Sequence, residues 1–169
     1  MALKLTEQQF LAKLEDHKGI LHKVSRIYFD EREDQQDLFQ EIILQLWKSK
    51  TSFKGNSQFS TWIYQVAINT AMVFFKKEKR KPKQLPLIDH DAEQQPEYSG
   101  GYEQQLQLFY RAVQHLNKLE KALIFLYLEG RSGEQMAKTM GLSANHVRVK
   151  LNRIKLNLKH LLEVENNEI

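Results

Sequence analysis

Residues 130–162 read GRSGEQMAKTMGLSANHVRVKLNRIKLNLKHLL, and the spacing within this stretch decides the fold. Met136, Ala137 and Met140 recur at helical intervals over only two turns. Ser132 is placed to cap the start of that short helix and Gln135 to reach back, a capping box. Gly141-Leu142-Ser143 then makes a turn, with glycine supplying the bend and Ser143 capping the next helix. Val147, Leu151, Ile154, Leu158 and Leu161 step by four, three, four and three, one unbroken apolar seam along a long helix. A short capped helix, a three-residue glycine turn and a longer helix together make a helix-turn-helix.

On a wheel of about 100° per residue, Asn145, Val149, Asn152 and Arg153 point away from the seam, and His146, Arg148 and Lys150 sit on its flanks. Arg can read guanine bidentately and Asn adenine, while Lys and His suit phosphates. The face therefore suits duplex DNA; a helical hairpin with a merely polar face is the blander alternative. Upstream, Leu116, Leu119, Leu123 and Leu126 line one side of a helix that ends at Gly130, and a further helix spans Tyr102 to His115.

Working back towards the start, Pro82, Pro86, Pro96, Gly100 and Gly101 fall in or beside an acidic stretch without periodicity, the composition of a linker. Before it come three helical patterns. The first carries Phe10, Leu14, Leu21, Val24 and Tyr28 on one face and starts at Glu7, with Thr6 and Gln9 as a capping box. The acidic run 30–34 breaks that pattern. A second helix turns Leu38, Phe39, Ile42, Ile43 and Leu46 inward and Asp37, Gln40, Glu41, Gln45 and Lys48 outward, ending near Trp47. Residues 49–57 read as a loop. A third helix runs from about Ser60 to a cationic end, Lys76 to Lys81, which suits the negative pole of its dipole.

The expected fold is all-α: two small helical domains, 1–83 and 102–169, joined by a flexible acidic linker, 84–101, with the helix-turn-helix in the second. Charge follows the same division. The net +4 of the 169 residues separates into −1 for 1–50, +6 for 51–83, −4 for 84–115, +6 for 116–162 and −3 for 163–169. Two basic blocks flanking an acidic connector fit one polyanion held at two places, because basic patches gain affinity by releasing counterions; ordinary solvated helix faces would give the same counts.

Composition excludes other classes. The absence of cysteine removes disulfides, Cys-ligated metals and thiol nucleophiles. No apolar run approaches the roughly 20 residues of a bilayer span, and the start MALKLTEQQF lacks a signal-peptide core, so a cytoplasmic protein without membrane insertion is expected. His17, His22, Asp30, Glu31, Glu33 and Asp34 lack ordered ligand spacing, and Asp89-His90-Asp91 falls in the linker. No nucleophile, phosphate loop or carboxylate pair stands on a rigid element, so neither an enzyme nor a cofactor is expected.

The series Asp37-Leu38-Phe39-Gln40-Glu41 to Leu46-Trp47, Phe53-Lys54-Gly55, Phe59-Ser60-Thr61-Trp62 and Ala67-Ile68-Asn69-Thr70-Ala71 resembles, in order and spacing, region 2 of the extracytoplasmic-function sigma factors of bacterial RNA polymerase. Leu126 to Gly130, Met136-Ala137, Gly141-Leu142-Ser143 and Val147-Arg148 to Arg153 resemble region 4. The resemblance implies docking on core RNA polymerase through Asp37, Gln40, Glu41, Leu44 and Trp47. It implies capture and melting of the promoter −10 element by Phe53, Lys54, Gly55, Asn56, Ser57, Phe59 and Trp62, with Asn69, Lys76, Lys77 and Arg80 on nearby phosphates; Phe53 is the stronger base contact and Trp62 the more core-like. Asn145, His146, Arg148, Val149, Lys150, Asn152 and Arg153 would then read the −35 element. Val73 departs from the family's usual Asp, Asn117 from a common Pro, and Ala144-Asn145-His146 from a frequent Gly-Thr pair. An anti-sigma factor is a further implied partner. The alternative is a helix-turn-helix regulator that binds DNA without serving polymerase.

Overall fold

A computed structural model describes residues 4–80 and 101–167, the side chains of 78–80 excepted. Every regular element among them is helical: α1 Glu7–Tyr28, α2 Arg32–Lys48, a 3₁₀ turn Lys50–Ser52, α3 Phe59–Arg80, α4 Gly101–Val113, α5 Lys118–Leu128, α6 Gly133–Met140 and α7 Ala144–Asn167. None is long and apolar enough to cross a membrane. Of the expected linker, 84–100 lies outside the described residues, as does the triplet Asp89-His90-Asp91, while Gly101 opens α4.

In the N-terminal half α1, α2 and α3 each pack on the other two, burying Phe10, Leu21, Val24, Leu38, Ile42, Leu46, Ile63 and Ile68. The expected capping box starts α1, with Gln9 N–H donating to Thr6 Oγ1 at 3.2 Å and Thr6 N–H to Gln9 Oε1 at 3.0 Å. One boundary differs from expectation. Helix α2 begins at Arg32, so Glu33 and Asp34 form its first turn rather than a break. Carboxylates favour the positive pole of a helix, and a solvated acidic turn carries no apolar period to announce it.

In the C-terminal half α7 packs on α4, α5 and α6 along its seam of Val147, Leu151, Ile154 and Leu158. Ser132 and Gln135 form the expected box, and Ser143 Oγ accepts from His146 N–H at 3.1 Å. Gly141 takes φ +66° at the turn. Gly130, at φ +76°, ends α5 as a Schellman motif, with Arg131 N–H reaching Leu126 O at 3.1 Å and Gly130 N–H reaching Tyr127 O at 3.0 Å.

Helix α5 differs most from its one-sided stripe. Every residue from Lys121 to Leu126 is buried, because α5 packs on α7 at one side and on α1 and α3 at the other. One core therefore runs through both halves. The contact also completes α1, whose C-terminus has no left-handed cap. Its carbonyls at Ile27 and Tyr28 accept instead from Gln114 Nε2 at 3.3 Å and Lys121 Nζ at 3.1 Å. Further bonds join Gln65 Nε2 to Thr139 O at 3.0 Å and Arg131 Nη2 to Thr61 Oγ1 at 3.1 Å.

Candidate nucleic-acid interface

Helix α7 presents the face that the wheel assigned. With Val147 and Leu151 turned into the core, Asn145, His146, Arg148, Asn152 and Arg153 are exposed, Val149 is exposed at its edge, and Lys150 is half-buried on the flank. Arg148 Nη2 donates to Asn145 Oδ1 at 2.8 Å. That bond occupies Asn145's side-chain oxygen in part, leaving Asn152 and Arg153 as a second amide and cation further along the helix. The short α6 and its glycine turn fix where this helix starts, since Leu142 N–H closes back on Ala137 O at 2.9 Å.

The loop before α3 is pinned at both ends by rings. Phe10 lies at the centre, edge-on to Trp47, Phe59 and Trp62 with centroids 5.9–6.0 Å away. Phe53 closes the cluster, 5.3 Å from Phe59 and 5.5 Å from Trp62. Aromatic pairs of this kind each add about 0.5–1.5 kcal/mol beyond their buried area. Phe59 is buried, whereas Phe53 and Trp62 are half-buried and keep part of their surface in solvent. Between the anchors Lys54, Gly55, Asn56 and Ser57 are all exposed, and Gly55 adopts φ +76°. A short polar arc carried on a rigid aromatic base is a surface that backbone and bases can approach closely.

Helix α3 adds cations and amides to the same half. Asn69, Lys76 and Lys77 are exposed; Arg80 closes the helix, and its side chain lies outside the described residues. On α2, Asp37, Gln40 and Leu44 are exposed and Glu41 and Trp47 half-buried, with the ammonium of Lys50 3.4 Å from the Trp47 ring centroid. Between the two helices lies a cleft of about 420 Å³ lined by Glu41, Gln45, Asn69, Thr70, Val73, Phe74 and Lys77. Spacing alone did not reveal it, since its walls come from separate helices. Val73 is 56% exposed on its edge, an apolar side chain beside Phe74 among polar walls.

The histidines considered for a metal serve packing. His22 stacks on Phe39 at 4.4 Å and His17 meets Phe59 edge-on at 5.3 Å. Among the described residues no three His, Asp or Glu side chains gather as a metal-holding group.

Two family models match the chain, Sigma-70 region 2 over residues 14–81 and Sigma-70 region 4 over 106–158. Together they take in α5, α6, most of α7 and the whole of α2 and α3. An ECF RNA polymerase sigma-E factor of Haemophilus influenzae is 27% identical over 90% of this chain and 93% of that protein. The protein of the same name from Escherichia coli is 28% identical over 71% and 69%. Among solved structures, the sigma factor RpoE in complex with the anti-sigma factor NepR from Bartonella quintana superposes with a TM-score of 0.73 at 21% identity, covering 93% of this chain and 98% of that one. CnrH in complex with the cytosolic domain of CnrY gives 0.67 at 16%, covering 94% and 90%. At those identities the two structures speak for the fold alone.

Proposed function

This chain belongs to the sigma-70 family, as an extracytoplasmic-function sigma factor for transcription initiation, and from that premise we propose how its surfaces divide the work. Residues 1–83 dock on core RNA polymerase through the outer face of α2, namely Asp37, Gln40, Glu41, Leu44 and Trp47. The same unit receives the −10 element on the arc Lys54 to Ser57 and its ring base, with Asn69, Lys76, Lys77 and Arg80 along the phosphates. Residues 102–169 hold the −35 duplex on the outer face of α7, with Arg148, Asn152 and Arg153 nearest base edges and His146 and Lys150 towards phosphates.

The observation that carries this division is the solvent-open stripe Asn145, Arg148, Val149, Asn152 and Arg153 opposite a fully packed seam. An inward seam holds a helix still while the outward stripe enters a groove. The chain acts by binding, without catalysis of its own or a cofactor, and works in the cytoplasm. One similar solved structure holds the sigma factor RpoE with the anti-sigma factor NepR, which supports a partner of that class here too. A regulator independent of polymerase is the weaker reading, because a sigma region 2 match accompanies the helix-turn-helix.

The deciding experiment adds purified chain to core RNA polymerase on a promoter that neither component opens alone. Strand opening and initiated transcripts are expected. Failure across a genomic promoter library, with tight binding to DNA in the absence of polymerase, would favour the independent regulator.

A further inference from the structure

The first turn of α7 carries Ala144-Asn145-His146 where the family frequently has a Gly-Thr pair. The amide of Asn145 is a feature of this chain rather than of the pattern it matches. Its oxygen accepts from Arg148 Nη2 at 2.8 Å, three positions on. Side chains on a helix lean towards its N-terminus, so a long residue at i+3 meets a short one at i. Both residues are exposed. The turn itself is held by other groups, since Ser143 Oγ accepts from His146 N–H at 3.1 Å and Val147 is buried in the seam. The bond between Asn145 and Arg148 therefore neither caps the helix nor packs it.

That bond changes what each partner can do. A guanidinium has five N–H groups and two edges able to make a two-pronged contact, and both edges draw on Nη2. Giving one Nη2 hydrogen to Asn145 leaves Arg148 a single such edge. A free arginine samples many rotamers and must be ordered on binding, and a tethered one carries less of that cost. In water an exposed pair on a helix surface is a weak contact; in a groove, with solvent displaced, it strengthens. For Asn145 the effect is the opposite. An Asn that reads adenine presents its oxygen and its amine together to one base edge, which competes with holding Arg148. Guanine offers two adjacent acceptors, O6 and N7, to the remaining guanidinium edge, whereas adenine sets an amine beside its N7.

We propose that Asn145 is a positioning residue: it holds Arg148 to one edge and so makes Arg148 select guanine at one base pair of the −35 duplex, without reading a base itself. The inference rests on the −35 reading of α7 given above.

The test uses the full chain bound to core RNA polymerase and a promoter that this holoenzyme opens, with the −35 segment randomised. The sequences retained give the base preference at each position. The parent should enrich guanine at one position, and Arg148→Ala should flatten that position. Asn145→Ala should lower the same preference by about two- to tenfold, the cost of ordering one long side chain, and leave the other positions as they were. Asn145→Asp keeps the acceptor, so it should restore the preference while its charge weakens binding to all sequences evenly. In an Arg148→Ala background, Asn145→Ala should change nothing further.

Three results would overturn the proposal. Asn145→Ala could leave the guanine preference intact, or lower every position together, which would make the residue structural. It could instead erase an adenine preference at a separate position that Asp does not restore, which would make Asn145 a base reader. A parent that enriches nothing across the segment fails the −35 reading itself and the proposal with it. Enrichment with a profile that Asn145→Ala does not move fails the proposal alone.

Discussion

The ammonium of Lys121 and the main-chain oxygen of Tyr28 lie 3.1 Å apart across 93 positions of sequence, so that a side chain from the second half finishes a helix in the first. Replacing Lys121 by Met keeps the length of the buried side chain and removes the donor. The Tyr28 carbonyl then stays buried without this partner, at a cost of about 1–3 kcal/mol. Thermal unfolding should show a midpoint lower by about 2–12 °C; an unchanged midpoint would mean that the carbonyl finds water at once.

The glycine at the turn of the helix-turn-helix gives a sharper case, because nothing lies within 4 Å of a Cβ built on Gly141 while its φ is +66°. Space is not the constraint there; backbone conformation is. Gly141→Ala should cost about 1–2 kcal/mol in denaturant unfolding, and Gly141→Asn less, since Asn tolerates the left-handed region. Equal losses for both would point to a steric cause instead.

Arg153 is exposed on the outer face of α7, so its removal should spare the fold. Arg153→Ala is expected to weaken −35 recognition by about 5- to 150-fold, the worth of a bidentate base contact, with binding to core polymerase and the melting midpoint unchanged. Loss of both activities would assign the residue a structural role.

For the polymerase face proposed on α2, Asp37→Lys reverses an exposed charge. Affinity for core polymerase should fall about tenfold or more, as expected for a charge placed against a complementary surface. Duplex binding by the isolated chain should be unaffected. A variant that loses DNA affinity and keeps polymerase would exchange the roles given to α2 and α7.

Alkaline pH offers a readout of the contact between halves. Burial first, then the hydrogen bond to Glu129 and its negative charge, push the Tyr64 phenol up to about 12, with Arg131 opposing. Burial also raises Tyr28 and Tyr110. The fold holds the Tyr64 phenol neutral, so its contribution is complete below about pH 10 and is lost as pH rises from there through about 12. Stability measured across that window should decline, and less steeply in Tyr64→Phe. A decline of equal slope in that variant would remove Tyr64 from the account.

Local rules carried most of the fold. Capping boxes at Thr6 and Ser132, the turn at Gly141 and the seam from Val147 are written within a few residues of where they act, and each stands where its sequence placed it. The outward faces of α2 and α7 followed from the same periodicity. Helix α5 was less legible. Its leucines describe one stripe, yet its other side is buried by α1 and α3, partners remote in sequence that impose no period on it. Asn117 is a related omission: its Oδ1 accepts from Glu120 N–H at 2.9 Å in a capping box, a signal present in the sequence but overshadowed by the leucine stripe. The α2–α3 cleft could not be read at all, because no spacing along one helix encodes the wall supplied by another.

Helix α5 is fastened at both ends, by Lys118 and Lys121 near its start and by Glu129 just past its finish. A strut pinned at two points cannot swing about either one. The two fastenings fix the direction of α5 as well as its place, and loosening either one would leave the helix free to pivot about the other.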